Sequence, residues 1–256
     1  MQNKALSLVS LVLIVGIVLA SGLLAFGADK PTYTFATEAA WCPWDYYNEE
    51  GDLVGIDIDI IREIAELQDF NVKFTVSSWS SLIPMVNMGK ADMTGGGMSI
   101  TEEREKKVDF TEPYWVTQMA VLVREDSVLN MFDALTHGAT ISNQSNTTGA
   151  EWVRKNLVEK GYDLTQKLYE TYPQATQALI AGKVDASVQD STSAEIVAQN
   201  KPVKIVGYFT TGEAYGYAVQ EGNEELLNTL NEGLDKLKQS GRITEIMNKP
   251  EYSSCE

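Results

Sequence analysis

Histidine and cysteine are nearly missing from this chain, which holds one of the former and two of the latter in 256 residues. The single imidazole, His137 in the turn THGAT, has no partner for a metal site or a nucleophilic triad and reads as a surface turn residue. Cys42 and Cys255 lack metal-site spacing; in an oxidising compartment they can pair, and two unpaired thiols is the other open reading. Positive charge is also short, with 20 Lys and Arg against 36 Asp and Glu and a formal net charge of -16. Phosphate backbones and anionic membrane surfaces select for basic faces, so neither nucleic acid nor a membrane surface is expected as the main partner. No long block of like charge interrupts the chain, and the acidity reads as a solvated surface. The phosphate-binding glycine patterns are missing as well. A phosphate loop wants GxxxxGK[ST] and a dinucleotide fingerprint wants GxGxxG, whereas Gly95 and Gly97 are followed by Met98, Ser99 and Ile100. No catalytic residue, metal or cofactor is therefore expected.

With 44% hydrophobic and 22% charged residues, the chain has the make-up of a globular protein with a real core, in one large domain or two small ones. The segment after Lys4, ALSLVSLVLIVGIVLASGLLAFGA, is almost wholly apolar and ends in small residues suited to cleavage near Gly27. Residues 1–27 thus read as an export signal, and because the run is long enough to span a bilayer, an uncleaved N-terminal anchor stays open. No cysteine lies near the end of the run, which argues against a lipid-modified thiol.

Past residue 30, short β-rich runs alternate with amphipathic helices, the α/β pattern. YTFAT, NVKFTV, ADMTG and MAVLVRE predict strands in the first part, with IDIDIIREIAEL and SWSSLIPMVNMG as helices. GATISN, TQKLYE, DASVQ and KIVGY predict strands in the second, with helices at TGAEWVRKNLVEKG, YPQATQALIAG and STSAEIVAQN. AYGYAVQ predicts a returning strand, followed by helices over NEELLNTLNEGLDKLKQSG and RITEIMN. The two parts echo one another: LIPMVNMGKADMTGGG and QALIAGKVDASVQDS each end a helix in glycine (Gly89, Gly182), then place a lysine and an aspartate (Asp92, Asp185) before a short buried strand. Two lobes with similar wiring follow. Ligands collect at the carboxyl ends of strands in open α/β sheets, so GGGMS and QDSTS should face a common crevice.

One residue in that crevice is out of place. Thr101 can cap a helix running through ITEEREKKV, and Glu102 and Glu103 suit its positive end, but Arg104 puts a cation in the first turn. It marks either an anion site or a surface salt bridge to a neighbouring glutamate.

The ordered combination WCPWDYYNEEGDLVGIDIDIIREIA, SSWSSLIPMVNMGKADM, GGGMSITEEREKKVDFTEPY, NQSNTTGAEWV, LIAGKVDASVQDS and LNEGLDKLKQSGRITEIM resembles the polar amino-acid-binding family of extracellular solute-binding proteins, which serve ABC importers. The resemblance covers essentially everything after the leader. It implies a two-lobed α/β fold of the type II periplasmic-binding-protein kind, with a ligand cleft between lobes joined by two crossing strands near Val121 to Arg124 and Tyr215 to Tyr217. Residues 30–122 and 215–256 would then form a discontinuous first lobe and 123–214 the second. It also implies an exported monomer at the periplasmic or extracellular face of the cytoplasmic membrane, with a small-molecule ligand and the importer's membrane subunits as partners.

Carried over by resemblance, Arg104 grips the ligand α-carboxylate as a bidentate fork. Ser99 and the backbone of Gly97 meet the ligand's ammonium or carboxylate, and the paired threonines Thr147 and Thr148 open a helix whose amides add to the carboxylate site. Asn146 stands where the family usually has glycine. Asp190 matches the aspartate that pairs with the α-ammonium, and as a bare sequence feature it also suits a helix cap before STSAEIV. Trp44 and Trp79 fall at aromatic positions that sandwich a side chain, with Trp41 close by, and Glu38 sits where some relatives carry an acid that meets a cationic side chain. An acid plus indole faces suits a cationic or aromatic-stacking ligand, including a quaternary ammonium. Two alternatives share the fold. Cyclohexadienyl dehydratases resemble these binders but place a catalytic glutamate three residues beyond the cleft aspartate, where this chain has Ser193; a membrane-anchored sensory domain would need a separate output partner.

Overall fold

Residues buried on both faces build the inner strands of the sheets, such as Met119–Arg124 and Ala186–Asp190, and a one-sided apolar stripe builds the long helices that cover them. A computed structural model describes residues 30–253. The leader 1–27 and Cys255 lie outside the described residues. Cys42 is disulfide-bonded.

The strands run, in chain order, β1 (Thr32–Thr37), β2 (Ala40–Trp41), β3 (Asp45–Tyr47), β4 (Leu53–Val54), β5 (Asn71–Val76), β6 (Met93–Thr94), β7 (Val108–Phe110), β8 (Trp115–Val116), β9 (Met119–Arg124), β10 (Ala139–Gln144), β11 (Leu164–Tyr169), β12 (Ala186–Asp190), β13 (Val203–Phe209), β14 (Ala214–Tyr215) and β15 (Ala218–Gln220). Ten of them form two five-stranded sheets, ordered β5-β1-β6-β15-β7 and β11-β10-β12-β9-β13. The sheets share one plan. In the first, β1 is parallel to β5 and β6, and β15 runs antiparallel to β6 and β7. In the second, β10 is parallel to β11 and β12, and β9 runs antiparallel to β12 and β13.

The sequence echo has a physical counterpart at the same places. Gly89 and Gly182 both end their helices with positive φ, 65° and 67°, a conformation that costs glycine nothing. Asp92 then accepts the amide of Thr34 on β1 at 2.6 Å, and Asp185 accepts the amide of Thr140 on β10 at 2.8 Å. Each aspartate thus locks its short strand to the neighbouring parallel one.

The core of the first sheet is sealed by the helix Ile56–Leu67, whose Ile56, Ile60, Ile61 and Ile64 are buried. The long helix Glu224–Ser240 packs Leu226, Leu230, Leu234 and Leu237 onto the same core. The helices touch at Gly233, where a Cβ would come 2.6 Å from Ile64. Asp57 is buried amid the isoleucines of the first helix.

Several expectations shift. Val121 to Arg124, expected as a crossing, is the inside of β9, a run whose Met119 to Val123 are all buried in the second sheet. An apolar run covered on both faces is a core strand, and the first passage between sheets lies earlier, at β8. There β8 pairs antiparallel with β14, Trp115 opposite Tyr215. SWSSLIPMVNMG is a single 3-10 turn at Trp79–Ser81 followed by a short helix, Leu82–Asn87. The helix expected through ITEEREKKV spans only Glu102–Glu105, because Val108–Phe110 leaves it to pair with β15.

Candidate functional site

The carboxyl ends of β6 and β12 open onto a cavity lined by Trp41, Trp79, Gly97, Ser99 and Arg104 from one side and by Gln144, Thr147, Thr148, Tyr172 and Asp190 from the other.

Arg104 reaches the cavity from a helix start that Thr101 caps, its hydroxyl accepting the Arg104 amide at 3.3 Å. The guanidinium donates to the Ser99 carbonyl at 2.8 Å and, across the cavity, to the Asn146 carbonyl at 3.2 Å. Its charge also sits 5.3 Å from the centre of the Trp79 ring. No ion pair of Arg104 is present among the described residues, so the surface salt-bridge alternative falls away. Burial pushes the guanidinium's pKa down, opposed by the charges of Glu213 and Asp190.

Asp190 ends β12 at the N-cap position of the helix Ser191–Asn200, yet its side chain makes no capping bond. Instead its two oxygens accept the hydroxyls of Tyr215 at 2.6 Å and Tyr172 at 3.2 Å. Burial pushes this carboxyl up to about 7, with the Glu213 charge adding to the rise and the two tyrosines opposing it. A buried acid with so few donors holds its charge poorly until a cation joins it.

Gly97 lies under Trp41, and a Cβ at this φ of 63° would collide with the indole. The Gly96 and Gly97 amides donate to Asp57 at 2.7 and 2.6 Å. Only the carbonyl of Gly97 is therefore left for a ligand. Thr147 caps the helix Thr148–Val153 by accepting the Ala150 amide at 3.2 Å and donates to the Gln144 carbonyl at 2.9 Å.

Two expected residues do not line the cavity. Trp44 is fully buried in the core of the first sheet, edge-on to Tyr215 with ring centres 4.9 Å apart. Packed also against Tyr114 and Trp115, it has no face left for a ligand. Glu38 lies behind Gln144, whose Nε2 donates to both carboxylate oxygens at 2.8 and 2.9 Å. Burial raises the Glu38 pKa, and the Gln144 amide opposes the rise.

Sequence reasoning missed Gln144, Tyr172 and Glu213. Tyr172 was within reach of the internal echo, because it stands ten residues before Gly182 as Trp79 stands ten before Gly89. Its ring stacks on Trp41 at 5.3 Å. Gln144 ends β10 with no distinguishing pattern. Glu213 is one acid among many, and only the fold shows its buried carboxylate accepting the Ser99 hydroxyl at 2.7 Å.

The family model of the bacterial extracellular solute-binding proteins, family 3, matches residues 33–249. The chain is 32% identical over 246 residues to a putative ABC transporter arginine-binding protein 2 of Escherichia coli K12, covering 93% of this chain and 97% of that one. Among solved structures, an ancestral arginine-binding protein bound to arginine superposes with a TM-score of 0.79 at 35% identity, covering 86% of this chain and 97% of its own. An ancestral amino-acid-binding protein described as a precursor of cyclohexadienyl dehydratase superposes with a TM-score of 0.75 at 30% identity, covering 84% and 92% of the two chains.

Proposed function

Because the chain belongs to the bacterial extracellular solute-binding proteins of family 3, with the two-lobed type II fold of its structural neighbours, we propose that it captures a free amino acid outside the cytoplasmic membrane and hands it to the membrane subunits of an ABC importer. One observation carries this reading: a guanidinium from one lobe and an under-satisfied buried carboxylate from the other face a single small cavity. Arg104 takes the α-carboxylate, a geometry that its planar fork suits, and Asp190 takes the α-ammonium. Neither lobe alone satisfies both charges, so ligand favours the closed pair of lobes, with rotation at the two passages between sheets. Trp41, Trp79 and Tyr172 offer ring faces to the side chain.

Charge decides the side-chain class. Among the described residues at or directly behind the cavity wall, the acids Asp190, Glu38 (held by Gln144) and Glu213 (held by Ser99) outnumber the cation Arg104. A zwitterion adds no net charge, so a side chain bearing a positive charge completes the balance and lies flat against the indoles. The ligand class is thus an L-amino acid with a cationic side chain, in keeping with the arginine for which the E. coli relative is named. The protein acts as a monomeric binder without chemistry of its own, residues 1–27 serving for export or as an anchor.

The test is a thermal-shift screen with L-arginine, L-lysine, L-ornithine, L-histidine and L-glutamine, followed by titration calorimetry of each ligand that shifts the midpoint. A cationic L-amino acid should raise the midpoint most, since ligand in excess over its dissociation constant adds stability. Agmatine, which keeps the guanidinium of arginine but lacks the carboxylate, should not. If no amino acid raises the midpoint, the site is not an amino-acid site.

A further inference from the structure

We infer that Glu213 is a positioning residue that sets the ligand preference of this site, by accepting the hydrogen bond of the Ser99 hydroxyl and leaving the serine oxygen only as an acceptor towards the cavity. The inference rests on the proposed amino-acid reading. Glu213 lies between β13 and β14, and its backbone is pinned on both sides. Its carbonyl accepts the Thr117 amide at 3.1 Å from the other passage between sheets, and the next residue's carbonyl accepts the Ile100 amide at 2.8 Å. The side chain is 8% exposed, and its Oε2 stands 2.7 Å from the Ser99 hydroxyl oxygen. No ion pair of Glu213 is present among the described residues.

The chemistry follows from counting protons. A hydroxyl has one proton and two lone pairs, and an ionised carboxylate only accepts. Ser99 is the donor in this bond. The remaining lone pairs of Ser99, which lines the cavity, can only receive a hydrogen. An α-ammonium supplies one. A keto oxygen or a bare methylene at the same position does not, and the keto oxygen meets lone pairs head-on. Ser99 also holds Arg104 through its carbonyl. One residue thus ties the carboxylate fork to the ammonium acceptor, and Glu213 fixes which way its hydroxyl points.

The experiment compares two probes by titration calorimetry: L-arginine and 5-guanidinopentanoic acid, which keeps the carboxylate and guanidinium but lacks the α-amino group. In the isosteric variant Glu213→Gln the amide can donate to Ser99 and turn its hydroxyl towards the cavity. L-arginine should then bind roughly 10- to 100-fold more weakly, the range for a hydrogen bond to a charged group, while the deamino acid changes less than about threefold. Ser99→Ala should show the same collapse of preference and keeps the test alive if Glu213→Gln does not fold. Adding Glu213→Gln to Ser99→Ala should change the preference no further. Equal losses for both probes in Glu213→Gln, or an undiminished effect of Glu213→Gln when Ser99 is already alanine, would overturn the inference while leaving the amino-acid reading intact. Failure of L-arginine and every other amino acid in the screen to bind the unaltered protein overturns both.

Discussion

Asp57 and Asp190 are two buried aspartates at the starts of two helices, and each accepts the hydroxyl of at least one tyrosine on the passages between the sheets, yet they do opposite things. Asp57 takes the Gly96 and Gly97 amides, the Tyr114 hydroxyl at 2.8 Å and the Tyr217 hydroxyl at 3.0 Å. A carboxylate offers about four lone-pair sites, and Asp57 already accepts four hydrogen bonds, three on Oδ2 and one on Oδ1. Asp190 has only two tyrosine hydroxyls and faces the cavity. The role of a buried acid is thus decided by the acceptor capacity that remains. Asp57 holds the glycine loop to both passages, and Asp190 is left open for a cation.

The most damaging way to break the pair is Asp57→Ala. It strips the partner from two buried amides and two buried hydroxyls, and should lower folding stability by about 3–5 kcal/mol in urea denaturation, the scale for losing one member of a buried charged network. Arg104→Ala should leave that unfolding curve in place while weakening ligand binding by roughly 2–5 kcal/mol in calorimetry, the loss expected for a buried charge partner. Unchanged affinity would return Arg104 to a structural role. Asp190→Asn should cost roughly 1.5–3 kcal/mol of binding for an amino acid and almost nothing for the deamino analogue. Equal costs for both would remove the ammonium assignment.

Titration sharpens the contrast further. The folded pKa of Asp190 is raised to about 7 and that of Asp45, buried beside Asp57, to about 8. An acid whose folded pKa is raised binds its proton more tightly when folded, so the folded state loses stability as pH climbs from the ordinary carboxylate range through the raised value. The ligand-free protein should therefore melt at a lower temperature at about pH 8 than at about pH 5. Ligand affinity should move the other way, rising with pH through about 7 as Asp190 ionises. The smallest effect is expected for Trp79→Phe, which keeps a ring face for Arg104 but drops the 3.1 Å bond from the indole N–H to the Asn146 carbonyl. About 0.5–1.5 kcal/mol of binding should be lost, read by calorimetry.

Much of this is legible in the sequence. A cation in the first turn of a helix after three glycines pointed to an anion site, and the repeated Gly-Lys-x-Asp spacing showed that two strand ends share a plan. Both signals are local, because a helix end and a cap are set by neighbouring residues. What stayed hidden depends on partners distant in sequence. Trp44 and Trp41 stand three residues apart, and nothing in the string tells which indole faces the cavity and which packs against Tyr114 and Tyr215. Glu38 carries the right charge, but its capture by Gln144 joins residues 106 positions apart. MAVLVR reads equally well as a crossing strand or a core strand until its two neighbours in the second sheet are known.

The matched plans of the two sheets hide a difference in timing. The second sheet is built from one continuous stretch, Met119 to Phe209. The first has β15, Ala218–Gln220, wedged between β6 and β7, so an interior strand of this sheet is the last of the described strands to leave the ribosome. Until that piece arrives, β7 has no neighbour on its inner side and the leucines of Glu224–Ser240 are not there to cover Ile56, Ile60 and Ile64. Vectorial synthesis therefore completes the second-made lobe first, and the lobe whose strands were made earliest waits for the C-terminus.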